Sequence, residues 1–138
     1  MVTLLPSPAH AAWTCQDGWI CFYQNLNATG SAAVLKEINI RSGAFTGYAA
    51  DFRNYTYTNG ANLNDTVSSV VNHSDADLLI FQDVNFVHAR VLIRRNSGTT
   101  NLNNVQVFGN WGQVTEDQSI DNRVSSAEAG TCSEKYCF

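Results

Sequence analysis

Asn64-Asp65-Thr66-Val67-Ser68-Ser69 and Asp121-Asn122-Arg123-Val124-Ser125-Ser126 follow one pattern, Asn/Asp-Asn/Asp-x-Val-Ser-Ser, 57 residues apart. A second pair, Phe22-Tyr23-Gln24-Asn25-Leu26-Asn27 and Ile80-Phe81-Gln82-Asp83-Val84-Asn85, recurs 58 residues apart. Two repeats in the same order at nearly one period describe two similar units. Each begins on an aromatic strand and ends on an acidic-amide/serine loop. Such units are expected to pack against each other as one pseudo-symmetric β domain.

The rest of the chain agrees with that reading. Its 138 residues suit one domain with a real core. Charged residues make up 14% of it, where about 25% is usual. Small polar residues fill the difference, fifteen Asn among them. Asn, Ser and Thr compete with the helix for backbone hydrogen bonds, so the mix favours turns and strands. Apolar residues are 44%, which argues against disorder. Alternation predicts strands over Ile20 to Asn25, Asp77 to Asp83 and Ala89 to Arg94. Asn59-Gly60 and Ser97-Gly98 are turn signals. Helical periodicity is weak, and its best candidate is Ala32 to Ile40. No Pro follows Pro8, so no linker divides the domain.

Several function classes fall away. With 2 Lys and 6 Arg in a chain of net charge −4, there is no phosphate-neutralising patch for nucleic acid. No stretch approaches the roughly 20 apolar residues of a membrane span. His10, His73 and His88 have no partner spacing, and neither a zincin motif nor a nucleophile elbow occurs. The chain is therefore not expected to be an enzyme. Asp75 and Asp77 follow Asn72-His73-Ser74 and read as a turn with solvated charge. Arg94-Arg95 reads as an isolated basic pair, one side chain exposed and one partly screened.

The N-terminus and the cysteines point outside the cell. Ala9-His10-Ala11 is a small-x-small cleavage site, so residues 1–11 are expected to be the remnant of a secretory signal peptide and residues 12–138 the mature domain. Four cysteines form two close pairs, Cys15/Cys21 and Cys132/Cys137. An even count in a secreted chain reads as disulfides, and four cysteines allow three connectivities. Short loops close easily, which favours Cys15 with Cys21 and Cys132 with Cys137. The spacings are wider than structural zinc sites prefer.

The repeated loop is a calcium candidate. Calcium takes six to eight oxygen ligands from carboxylates, amides, carbonyls, hydroxyls and water. The first two residues of each motif offer side-chain oxygens, the next can turn its carbonyl inward, and the first Ser adds a hydroxyl. Val67 and Val124 would anchor the loops in the core. One motif supplies too few ligands for a full shell, so a second segment must contribute.

At these residues the chain resembles the βγ-crystallins. The two serine motifs look like that family's calcium signature, and the aromatic strands look like the start of its Greek-key modules. The resemblance runs from about Cys15 to Ala127. It implies an all-β fold, two Greek keys packed as a β-sandwich, with key 1 at about 15–72, key 2 at about 77–128 and a C-terminal tail at 129–138. It also implies up to two calcium ions. Carried over by position, one site uses Asp65, the Thr66 carbonyl and Ser68. The other uses Asn122, the Arg123 carbonyl and Ser125, with Asn64 and Asp121 ligating or holding the loops. The family's opening pattern, aromatic-x4-aromatic-x-Gly, is incomplete in both halves: Tyr23 leads to Ala28 and Gly30, Phe81 to Phe86 and His88.

A narrower resemblance is to small secreted actinobacterial proteins of the metalloprotease-inhibitor type, which share this fold. Their early Cys pair opens the first strand, as Cys15 and Cys21 do before Phe22. Their second pair closes an internal loop presenting the bond offered to the protease. Cys132 to Cys137 has such a spacing, but it is polar and C-terminal. The implied partner is a secreted protease. Another partner class is a subunit of an extracellular assembly such as a secreted toxin complex. An inserted loop is expected at 41–60, where Phe45, Tyr48, Tyr55 and Tyr57 are candidates for partner binding. Of the two expectations, the core is favoured for most of these rings.

Overall fold

The computed structural model describes residues 14–34, 47–109, 113–116 and 118–130. The signal remnant, Phe45, Cys132 and Cys137 lie outside the described residues. Among the described residues there are eight strands: β1 (Ile20–Asn25), β2 (Thr29–Val34), β3 (Gly47–Ala49), β4 (Ser69–Asn72), β5 (Asp77–Asp83), β6 (Val87–Ile93), β7 (Gly98–Asn101) and β8 (Ser126–Gly130). They form two four-stranded sheets in the orders β2-β1-β4-β7 and β3-β8-β5-β6. All pairings are antiparallel. Each half keeps three strands in its own sheet and lends its third to the other. β3 pairs with β8, and β7 pairs with β4. This is the expected all-β architecture, two Greek keys interlocked as a sandwich.

The strands expected at Ile20–Asn25 and Asp77–Asp83 form with those bounds, and the third is Val87–Ile93. The helical candidate is corrected where it is described. Ala32 and Ala33 lie in β2, opposite Tyr23 and Phe22 of β1. Ala32 and Ala33 are both buried there, because their small side chains fit against the aromatic strand. Pairing with a neighbour outweighs the helix preference of isolated alanines.

Alternation along β1, β4, β5 and β8 sends Phe22, Val70, Leu78, Ile80 and Ala127 into the space between the sheets. Phe22 meets Phe52 edge-on at 5.4 Å. The outer face of the first sheet is covered by a smaller cluster of Cys15, Cys21, Tyr23, Ala32 and Val71, against which Trp19 packs. The Cys15–Cys21 disulfide holds that cover in place.

Two charged expectations are corrected. Asp77 is only 3% exposed. Its carboxylate accepts from the Arg95 backbone N–H at 3.0 Å and from the Arg95 guanidinium at 2.9 Å, with Arg94 Nη1 at 3.8 Å. A buried carboxylate is tolerated only with such partners, so the Arg94-Arg95 pair serves this turn and is not free surface charge.

The two halves match in backbone detail. Asn27 and Ala28 have φ of +60° and +55°, and Asn85 and Phe86 have +60° and +62°. Gly30 has φ +78°, and its counterpart His88 has φ +67°. A left-handed backbone suits Gly and strains a residue with a Cβ by roughly 1–2 kcal/mol. A Cβ at Gly30 would lie 2.7 Å from Asn25 Nδ2. In the second half His88 instead bonds the Asp83 carboxylate, the counterpart of Asn25. Two opposite results are expected from thermal melts. Gly30→Ala destabilises by about 1–2 kcal/mol. His88→Gly stabilises by about 1 kcal/mol, since the exposed pair with Asp83 contributes little. A melt of His88→Gly below that of the parent would contradict the strain argument.

Candidate calcium loops and the outer face

The serine motifs lie between β3 and β4 in the first half and just before β8 in the second. Val67 and Val124 are fully buried and anchor the loops, as their place in the motif requires. Asp65 and Asn122 both take positive φ, +56° and +57°, a conformation that Asn and Asp accept more readily than most residues. The Asp65 backbone N–H donates to the Val124 carbonyl at 3.0 Å, and the Asn122 N–H donates to the Val67 carbonyl at 3.1 Å. The loops therefore lie side by side around a pseudo-twofold axis.

Side chains follow the same crossing. Ser125 Oγ donates to Asp65 Oδ1 at 3.0 Å, and Ser68 Oγ donates to Asn122 Oδ1 at 3.3 Å. The expectation grouped Asp65 with Ser68 and Asn122 with Ser125. The hydrogen bonds group Asp65 with Ser125 and Asn122 with Ser68. The second residue of each motif is left-handed and donates its backbone N–H to the other loop, which sets its side chain beside that loop's serine. The period alone could not reveal this, because it reports similarity between the loops and not their contact.

Other motif atoms brace the loops. Asn64 Nδ2 donates to Asp65 Oδ2 at 3.0 Å. Thr66 Oγ1 reaches the carbonyls of Asn62 and Leu63 at 3.0 and 2.9 Å. It also meets the Tyr57 hydroxyl at 2.9 Å. Burial pushes the Tyr57 hydroxyl up to about 12, against the opposing effect of Thr66. Ser69 and Ser126, both fully buried, donate to the carbonyls of Asn25 and Asp83 at 2.5 and 2.6 Å. They thereby tie each loop to the first hairpin of its own half.

The donor set suits a hard cation. It consists of carboxylate, amide, hydroxyl and carbonyl oxygens, with no nitrogen or sulfur. Asn64 Oδ1 and Asp121 Oδ1, the first residues of the two motifs, are buried acceptors with no hydrogen-bond partner among the described residues. Such oxygens are costly unless a donor or a cation meets them. Among the described residues no group of three or more His, Cys, Asp or Glu converges. Any cation would thus rely largely on neutral oxygens.

The remaining candidates divide between core and surface. Tyr57 is 2% exposed, so it offers a partner no face and is corrected to a core residue. Tyr55 is half-buried and packs edge-on against Phe52 at 6.4 Å. Tyr48 is exposed on the outer face of the second sheet, with its ring 5.8 Å from Phe86. Phe86 meets Phe81 at 5.7 Å, and the Arg90 guanidinium lies over Phe81 at 5.5 Å. Burial pushes the Glu128 carboxyl up, an effect that Arg90 partly offsets. Tyr48, Val87 and Val114 are the exposed large hydrophobic residues among those described. Val87 and Val114 were not singled out in the sequence, where lone valines carry no signal.

Residues 8–91 match the profile of peptidase inhibitor family I36, well over half of the chain. The chain belongs to peptidase inhibitor family I36. Its non-catalytic character follows from that membership. No curated protein matches the chain. Among solved structures it is similar to a βγ-crystallin domain from work on the evolution of the eye-lens fold, at 17% identity and TM-score 0.55, over 88% of this chain and 93% of that one. It is also similar to a βγ-crystallin from Ciona intestinalis, at 19% identity and TM-score 0.52, over 80% of this chain and 96% of that one. The I36 chain thus carries the βγ-crystallin fold.

Proposed function

We propose that this I36 chain is a secreted, non-catalytic interaction module that binds calcium at its crossed loops and takes a peptidase as its partner. The observation that carries the calcium reading is the reciprocal pairing of Asp65 with Ser125 and Asn122 with Ser68, beside two buried oxygens without donors. Calcium would supply a positive centre that several oxygens can share. Asp65, Ser68, Asn122 and Ser125 would supply side-chain oxygens and Thr66 and Arg123 their carbonyls, with Asn64 and Asp121 ligating or holding the loops. Because the pairs cross, each site would draw on both halves, and a bound ion would fasten one key to the other.

Mass action gives the test. Calcium at about a hundred times its Kd should raise stability by about 2.7 kcal/mol, read as a shift in the thermal melt. Calorimetry should show heat of binding. Ser68→Ala with Ser125→Ala should remove both. Absence of heat and shift in the parent chain, or survival of binding in the double variant, defeats the calcium reading.

Family membership supports the peptidase partner, and the exposed Tyr48 beside Phe86 is the surface best suited to meet one. The chain should inhibit at least one secreted metallopeptidase stoichiometrically. A broad panel of such enzymes left fully active would count against it. The Cys15–Cys21 disulfide supports placement in an oxidising, extracellular compartment.

A further inference from the structure

We infer that the two calcium positions are unequal and that the Asp65–Ser125 position takes the first ion, an inference that rests on the calcium reading above. The two positions are nearly constant in geometry. Their left-handed residues differ by 1° in φ, +56° against +57°. Their crossing backbone bonds are 3.0 and 3.1 Å, and Ser68 and Ser125 are each 6% exposed. What differs is chemistry. The residue that reaches the opposite serine is a carboxylate at position 65 and an amide at position 122. A carboxylate oxygen attracts a divalent cation as one charge attracts another, whereas an amide oxygen offers only a dipole.

One effect opposes the ranking. Ser125 must turn its proton away from Asp65 before its lone pairs can face an ion, and that charge-assisted bond is the shorter of the two. The lost interaction is between one charge and one hydroxyl dipole. The gained interaction is between one charge and a doubly charged ion, so the carboxylate prevails.

Asp121 is the rival source of charge. Its buried Oδ1 has no donor among the described residues. It occupies the first place of its motif, as Asn64 does in the other, whereas the opposite serines bond Asp65 and Asn122. The motifs thus carry their acid in opposite places, Asn64-Asp65 against Asp121-Asn122. Only the second place already holds the serine it would share an ion with. The ranking follows the second place.

Calorimetric titration of the full chain with calcium chloride decides the matter, using the parent, Asp65→Asn, Asn122→Asp and Asp121→Asn. Asn is well accepted at a left-handed position, so the Asp65→Asn backbone is retained, and a thermal melt without calcium verifies each fold. The parent should bind in two steps separated by about tenfold or more in Kd. Asp65→Asn should weaken the tighter step by about tenfold, and Asn122→Asp should strengthen the weaker step by a similar factor. Asp121→Asn should move either step by less than about threefold, as expected for a residue that holds its loop rather than ligating the ion. Two equal steps in the parent, or loss of the tighter step in Asp121→Asn and not in Asp65→Asn, overturns the ranking while leaving calcium binding intact. No heat in any of the four proteins overturns the calcium reading and the ranking with it.

Discussion

Replacing Phe52 with Ala is expected to cost about 3–5 kcal/mol of folding stability, the range for deleting a buried aromatic ring. Phe52 is fully buried in a short 3-10 turn, Phe52–Asn54. Asp51 caps that turn by accepting from the Arg53 N–H at 3.0 Å. The ring fills space beside Phe22, and its backbone N–H donates to the Ser125 carbonyl at 2.8 Å. A cavity here would loosen the core and, through Ser125, the floor of one candidate calcium position. Urea denaturation measures the loss, with Phe52→Leu as the milder control at about 1 kcal/mol. A loss below about 1 kcal/mol for the Ala variant would show that the ring is not part of the core.

Asn72→Ala is the second large effect, with an expected loss of about 2–4 kcal/mol. Asn72 is fully buried at the end of β4. Its Nδ2 donates to the carbonyl of Ala76 at 2.9 Å and of Arg94 at 3.2 Å. Its Oδ1 accepts from the Ser74 N–H at 3.0 Å and the Ser74 hydroxyl at 2.7 Å. These bonds shape the turn from β4 into β5, where the first half passes to the second. Truncation leaves several buried groups without partners, each with a desolvation cost of about 1–3 kcal/mol. Asn72→Asp should be similarly damaging, because a carboxylate would face the Ala76 and Arg94 carbonyls without a donor to offer them. Equal melts for parent and Asn72→Ala would sink the argument.

These two residues also mark where sequence reading stops. The strands β1 and β5 were legible because alternation is local and survives any tertiary setting. The serine loops were legible because they recur at one period. Phe52 sits in the segment expected to be an insertion. Its burial depends on β3 crossing into the opposite sheet, a pairing between Tyr48 and Glu128 that no local pattern encodes. Asn72 and Asp77 looked like ordinary turn residues, since only the packing of Arg95 and Ser74 around them makes them buried anchors. β2 was obscured because Ala32 and Ala33 favour a helix on their own. The left-handed His88 was visible only as a missing glycine. Within the candidate site, residue types suggested a cation, but contact between the loops sets which side chains meet.

The exchange of third strands sets the order in which this chain can fold. β3 emerges early but has its partner in β8, which closes at Gly130. β5 also needs β8 along one edge. A growing chain therefore holds unmatched strand edges until β8 is available. Contacts this distant in sequence place folding in the millisecond-to-second range typical of β-sandwiches. A chain that stopped before Ser126 would leave β3 without its ladder and β5 with one bare edge, a form prone to pair with its neighbours.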